Sequence, residues 1–466
     1  MGTLTLVLAL CTVVGCARDA SQSAPPNVVF VLADDLGWAD VNSFDPLQRG
    51  YYETPHLDTL AAHGMRFVQA YANAANCAPT RAALMSGQYY PRQPIYHVGS
   101  PSQGTLIPAE NADHLPPSKT TLAEALQAAG YTSASIGKWH IGEPPETGPE
   151  QQGFDVNVGG YLAGNPGVWA GGYFEPNNNP YIDDARPGEY LTDYLTRKAV
   201  SFIERHQGEP FYLQLSYYTP HSPFQAPEER VAAYRQKAGA GGHRHPTYAA
   251  MIEAMDQGVG QIMATLDRLG LAEDTIVIFF SDNGGRGGYD FLGHAENDIT
   301  SNAPLKSGKG SFYEGGIRVP LIVRWPEVIA AGGVSNEPVI GVDVYPTLLD
   351  AAGIEPPPDY PLDGESLMPL FRDPAATLDR GALYWHFPGY PNAKWRTSPV
   401  SVIRSGRWKL MKFYEGPRLE LYNLAADRGE TQNQAEARPA VRDRLHDRLT
   451  QWLEANDAPL PTPRTE

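Results

Sequence analysis

The chain has 466 residues, 42% of them hydrophobic and 19% charged, a balance that excludes large-scale disorder. Its formal charge of −17, from 53 acidic against 36 basic residues, makes nucleic acid a poor partner, because phosphate binding needs a basic surface. The length exceeds what one core supports and predicts one large and one smaller domain, while 46 Gly and 42 Pro place much of the chain in turns and long loops.

The apolar run from Thr3 to Ala17 is too short to span a bilayer with ease and reads as the core of a signal peptide. It ends Val13-Val14-Gly15-Cys16, like a bacterial lipobox, so either plain cleavage or a lipid anchor on Cys16 is expected. Residues 1–24 are assigned to this leader and a linker, and the protein to the exported class: periplasmic, anchored to the outer membrane, or secreted. Cys11 and Cys16 fall in the leader, which leaves Cys77 as the single cysteine of the folded part and excludes an internal disulfide. A lone cysteine in an exported protein is either buried as a small apolar residue or used.

The run Asn27 to Ala33 is continuously apolar and closes on Asp34-Asp35, the pattern of a strand buried on both faces of a mainly parallel sheet. A helix follows from Thr54, with Pro55 at its first turn and Gly64 as its stop. Thr121 and Glu124 form a capping box for a helix ending at Gly130, which leads into a strand over Tyr131 to Ile136. The alternation continues with helix Thr192 to Arg205, strand Phe211 to Tyr217, helix Thr247 to Leu269 and strand Thr275 to Phe280. Ile317 to Val323 reads as one more strand.

The fold class predicted is α/β: a large, mostly parallel mixed sheet flanked by helices, spanning about 25–375. After a Pro/Asp-rich linker at Arg372 to Arg380 the texture changes to short antiparallel strands at Val402 to Ser405, Trp408 to Phe413 and Leu419 to Asn423. A helix from Arg438 to Ala455 completes this smaller α+β unit of 380–466.

Two strands end in like chemistry, Asp34-Asp35 and Asp282-Asn283. Ligands of open α/β sheets bind beyond the carboxyl ends of strands. An Asp-Asp or Asp-Asn-Gly alone serves as a cap or turn, but two such pairs after two buried strands form a hard, oxygen-only set that suits Ca²⁺ or Mg²⁺. Cys77 precedes a helical Ala82-Ala83-Leu84-Met85, so it meets the unpaired N–H groups of a helix start, with Arg81 one turn on. A thiolate nucleophile is compatible with this position, although no His-Asn pair of a thiol protease accompanies it. Lys138, His140, His221 and Lys309 stand in short polar loops after strands. Singly each reads as a satisfied or surface residue; jointly, against an acidic average, they read as an anion site. The Ser307-Gly-Lys-Gly310 segment lacks the residues of a phosphate loop.

Cys77-Ala-Pro79-Thr-Arg81 resembles the Cys-x-Pro-x-Arg signature of the formylglycine-dependent sulfatases, within the alkaline phosphatase-like superfamily. The resemblance extends to Asn27–Trp38, Thr54–Ala72, Gly130–Gly142, Tyr218–Phe224, Thr275–Gly285, Gly308–Pro320 and Asp427-Arg-Gly-Glu430. It implies that a formylglycine-generating or sulfatase-maturating enzyme converts Cys77 to formylglycine, whose hydrate attacks sulfate esters. It further implies that Asp34, Asp35, Asp282 and Asn283, with the modified Cys77, hold one Ca²⁺. Arg81 would hold the hydrate, Lys138 and Lys309 would bind the sulfate oxygens, His140 would assist the nucleophile's hydroxyls, and His221 would protonate the leaving group. Thr80 stands where Ser is commoner and keeps the hydroxyl.

The substrate class expected is sulfated carbohydrate, with Tyr89, Tyr90, His97, His294, Trp385 and His386 as candidate walls of a sugar subsite. Two rivals remain: a formylglycine-dependent phosphoester or phosphonate monoester hydrolase, and a non-catalytic lipoprotein that binds sulfated glycans.

Overall fold

The computed structural model describes residues 25–464, apart from 103, 290–297 and 392–396. The leader with Cys16, and His294, lie outside the described residues. The large sheet has eight strands. In chain order they are β1 (Asn27–Ala33), β2 (Met65–Phe67), β3 (Thr132–Gly137), β4 (Val156–Val158), β5 (Phe211–Ser216), β6 (Thr275–Ser281), β7 (Leu321–Arg324) and β8 (Gly333–Ser335). Their spatial order is β8-β2-β7-β6-β1-β5-β3-β4. Only β7 opposes its neighbours; β6, β1, β5 and β3 all run parallel.

The unbroken apolar pattern of β1 has a direct consequence. Val29 and Val31 enter the core on one face, and Val28, Phe30 and Leu32 enter a second core on the other. Helices Leu191–Arg205 and Pro246–Leu269 cover the first face; Cys77–Ser86, Leu122–Ala128 and Val344–Ala352 cover the second. The predicted capping box is present, with Glu124 N donating to Thr121 Oγ1 at 3.1 Å and Thr121 N to Glu124 Oε2 at 2.6 Å. One expectation fails. The stretch Ile317 to Val323 is not a single strand: Glu314–Ile317 is a helical turn closed by Arg318 N on Glu314 O at 2.8 Å, and β7 starts only at Leu321.

A separate antiparallel sheet holds four strands in sequential order, β9 (Leu383–Phe387), β10 (Val400–Ser405), β11 (Trp408–Phe413) and β12 (Leu419–Asn423). Period-2 alternation splits its side chains. Ile403, Leu410 and Leu421 pack under Leu445, Leu449 and Leu453 of helix Pro439–Ala455. On the opposite face Val402, Met411 and Tyr422 pack towards Tyr71, Ile317 and Ile340 of the large unit. A buried ion cluster crosses the same seam: Lys409 Nζ lies 3.1 Å from Glu314 Oε1 and 2.8 Å from Glu430 Oε1. Among the described residues no helix is long and apolar enough to cross a membrane.

Candidate active site

Register builds the site. Ala33 of β1 pairs with Ser281 of β6, so Asp34-Asp35 and Asp282-Asn283 emerge side by side from parallel strands. On the other side Leu32 pairs with Ser216, and Ser216 with Gly137 of β3, so the chain leading to His221 and the one carrying Lys138 and His140 leave the sheet at the same level. Backbone turns away sharply there: Asp35 and His140 have φ of 68° and 66°, in the left-handed region that Asp and His enter more readily than most residues. Gly284, just after the second acid pair, has no alternative, because a Cβ would sit 1.9 Å from Gly315 O.

Cys77 is the first residue of helix Cys77–Ser86, and every residue of that helix is buried. Thr80 Oγ1 accepts from Ala74 N at 3.0 Å and lies 3.3 Å from Ala74 O, so the hydroxyl at this position latches the loop that delivers Cys77. Arg81 Nε donates to Asp282 Oδ2 at 2.9 Å and its Nη1 to Lys138 O at 2.7 Å, joining the helix to two strand ends. Lys309 arrives from a separate loop, held where Gly310 N donates to Ala75 O at 2.8 Å and Lys309 N to Gly285 O at 3.1 Å.

The charges interlock. Lys138 Nζ donates to Asp34 Oδ2 at 2.7 Å, and Lys309 Nζ to Asp35 Oδ2 at 2.7 Å. Asn283 Nδ2 donates to Asp35 Oδ1 at 2.9 Å. Burial raises the Asp34 carboxyl, and raises that of Asp282 to about 6. At Asp35 burial is outweighed by Lys309 and His221, which hold the carboxyl below its ordinary range. Burial pushes the Cys77 thiol up, against the pull of Lys138 and Lys309, so the plain thiolate is disfavoured here. Burial and the surrounding cations lower His140, and burial with Lys309 lowers His221 to about 3. His221 Nδ1 donates to Ser222 O at 2.7 Å, which leaves Nε2 facing Asp35 Oδ2 at 3.5 Å.

The residues fit a hard cation. Asp34, Cys77 and Asp282 offer ligand atoms within 4.8 Å of one another. Asp34 Oδ1 and Asn283 Oδ1 are buried oxygens without a hydrogen-bond partner, the state that a coordinating ion would relieve.

A cavity of about 310 Å³ opens over this floor, lined by Cys77, His140, His221 and Lys309 among others. Of the residues expected as sugar walls, His97 lines it. Tyr89, Tyr90, Trp385 and His386 do not, because each is committed to packing within or against the smaller unit. Trp385 points inward from β9 and donates its indole N–H to Ala72 O at 2.9 Å. His386 is locked between Ser401 Oγ at 2.7 Å and Pro459 O at 3.0 Å, and Tyr90 stacks on it at 5.6 Å. Tyr89 packs edge-on against Trp452 at 5.9 Å. Sequence reasoning missed Arg286 and Asn165, which also line the cavity. Arg286 follows Asp282-Asn-Gly-Gly and is a basic residue just past a strand end, the signal that selected Lys309; Asn165 lies in a long loop and carries no such signal.

The family model described as Sulfatase matches residues 26–354. The chain belongs to the sulfatase family. A second model, N-sulphoglucosamine sulphohydrolase, C-terminal, matches residues 308–455. The "Sulfatase" of Formosa agariphila is 33% identical over 95% of this chain and 91% of its own length. The N-acetylgalactosamine-6-sulfatase of Mus musculus is 34% identical over 78% of this chain and 70% of its own. The crystal structure of Ps i-CgsB in complex with k-i-k-neocarrahexaose superposes with a TM-score of 0.77 at 30% identity, covering 95% of both chains. This chain is therefore an enzyme, a sulfatase with the expected α/β fold and smaller antiparallel sheet.

Proposed function

We propose that this sulfatase removes sulfate from a sulfated carbohydrate, using formylglycine formed from Cys77 and one Ca²⁺. The observation that carries the reading is the convergence of Cys77, at a helix start, on Asp34, Asp282 and two buried lysines. Carbohydrate is supported by the neocarrahexaose complex of the similar structure and the hexosamine sulfatase among the relatives.

Asp34, Asp35, Asp282 and Asn283, with residue 77, would hold Ca²⁺, which would supply Lewis-acid polarisation of the nucleophile and the sulfate. Formylglycine at residue 77, when hydrated, would supply two hydroxyls on one carbon: a nucleophile for sulfur and a means of expelling sulfate afterwards. The remaining work falls to the chain's own side chains. Arg81, braced by Asp282 and the Lys138 carbonyl, holds the hydroxyls of residue 77 in one orientation. Lys138 and Lys309 place ammonium groups against the sulfate oxygens and offset the charge that grows toward the leaving oxygen. His140 takes or returns a proton at the hydroxyls of residue 77. His221 delivers one from Nε2 to the leaving sugar oxygen, and its Nδ1–H bond to Ser222 O fixes the ring for that transfer. Sulfate bound beside Lys309 offsets that lysine's charge and so favours the protonated imidazole.

The same reading assigns 25–375 to the catalytic unit and 380–466 to the smaller one. It places maturation by a formylglycine-forming enzyme before folding and export, with Cys16 as the point of lipid attachment if the leader is a lipobox. The test has two parts. Mass spectrometry of the Cys77 peptide from active enzyme is expected to find aldehyde or its hydrate; thiol alone refutes the mechanism. A panel of sulfated oligosaccharides, assayed for free sulfate beside an aryl sulfate and an aryl phosphate, is expected to give sulfate release. Preference for the phosphate would install the phosphoester hydrolase reading, and no release from any member the glycan-binding one.

A further inference from the structure

A second cavity, of about 750 Å³, lies at the seam between the two sheets and shares no lining residue with the catalytic pocket. Six arginines line it: Arg66, Arg318, Arg380, Arg404, Arg407 and Arg428. This concentration of cations stands in a chain of net charge −17. Two of the six are neutralised, Arg380 by Asp343 at 2.7 Å and Arg318 by Glu314 at 3.4 Å. The other four make no ion pair among the described residues. Arg66 Nη1 donates to Ser43 O, and Arg404 Nη2 to Gln69 Oε1. Arg407 and Arg428 are exposed at the mouth.

Of the two lining acids, Asp45 is already bound to Arg49 at 2.6 Å, and Glu337 accepts from Leu378 N at 3.4 Å, so the arginines outnumber the acids six to two. Arg404 is the decisive residue. It is 4% exposed, yet its Nε and Nη1 have no hydrogen-bond partner. Trp38 Nε1 and Ser43 Oγ, in the same lining, are buried donors in the same condition. The Arg404 guanidinium lies over the Tyr71 ring at 4.9 Å and feels the Glu314 carboxylate, but neither accepts from its buried Nε and Nη1, and a ligand oxyanion is the natural complement to such forked donors. The volume is that of a site for one or two sugar rings.

We propose that this cavity is a second oxyanion site that binds a sulfate group, either free inorganic sulfate or a sulfate carried on a saccharide. Binding there does not require Cys77 to be oxidised or the catalytic reading to hold. The site is measured by equilibrium dialysis in Lys309→Ala protein, which weakens the catalytic pocket's own hold on anions. The probes are radiolabelled inorganic sulfate and a sulfated disaccharide. One equivalent is expected to bind, and adding Arg407→Ala with Arg428→Ala is expected to weaken it at least tenfold. Equal affinity for both probes identifies a free-anion site; a disaccharide bound tenfold tighter identifies a site for the glycan chain. In the otherwise unaltered enzyme the Arg407→Ala/Arg428→Ala pair should leave aryl sulfate kcat/KM unchanged. Unaltered affinity in the arginine variant, or no binding of either probe at millimolar concentration, overturns the proposal.

Discussion

Lys409 is fully buried between two carboxylates, and replacing it with Met tests how the smaller sheet is fastened to the large unit. The substitution keeps the apolar stem and removes the charge. Glu314 retains Arg318 at 3.4 Å and Tyr71 OH at 2.8 Å, whereas Glu430 loses its ammonium and faces Glu314 alone. Breaking a buried pair by deleting one partner costs about 3–5 kcal/mol. The loss must depend on pH. Burial and Glu314 already push the Glu430 carboxyl up to about 7, despite Lys409. Because that value lies above the unfolded one, the folded state holds the proton more tightly, and stability falls as pH rises from about 4.5 through 7.

Without Lys409 the carboxyl rises further. At pH 5.5 Glu430 is protonated in both proteins, so the variant loses the Lys409 hydrogen bonds and the pairing with Glu314 but leaves no charge on Glu430, a smaller loss of about 1.5–3 kcal/mol. At pH 8 the full loss appears, a fall in Tm of roughly 5 °C for a chain this long. Thermal unfolding at the two pH values, followed by tryptophan fluorescence, reads both numbers. Equal losses at pH 5.5 and 8, or a loss below about 1 kcal/mol at pH 8, would refute the account.

Three further outcomes follow from the geometry. Calcium at a hundredfold excess over its Kd should stabilise chelator-stripped enzyme by about 2.7 kcal/mol, and Asp282→Asn should abolish the effect; identical melting with and without Ca²⁺ would show that the carboxylate cluster is not a metal site. Trp385→Phe removes the indole bond to Ala72 O and part of a buried ring, and should cost roughly 2–3 kcal/mol while leaving KM alone, whereas a raised KM would return Trp385 to the substrate wall. His97→Ala should raise KM for the best oligosaccharide several-fold and spare a small aryl sulfate, since His97 lines the pocket above the reacting centre; equal effects on both substrates would count against a sugar-side role.

What could be read in advance follows the local rules of the chain. Continuous apolar runs, caps and stops announced β1, β5, β6 and their helices, because burial on both faces and orphan helix-end groups each leave a local imprint. The strand-end acids, Cys77, Arg81 and the four basic loop residues were legible for the same reason: each sits at the end of a recognisable element. The Ile317 stretch misled because its β-branched composition favours a strand while the Glu314 turn depends on packing against Lys306, Lys409 and Glu430.

The aromatic residues were misread for a related cause. Tyr90, Trp385 and His386 look alike in sequence whether they face a sugar or a packed interior; the pairing of β9 with β10 sends Trp385 and His386 to opposite faces of the smaller sheet, and Tyr90 stacks on His386. By itself the sequence determined the fold class, the order of elements and which side chains stand at strand ends. Tertiary structure alone decided that β1 pairs with β6 in the register that brings the two acid pairs together, and that six arginines distant in the chain surround one cavity. Local order is encoded in spacing, whereas register, burial and the sharing of a cavity arise from contacts between segments that have no sequence neighbours in common.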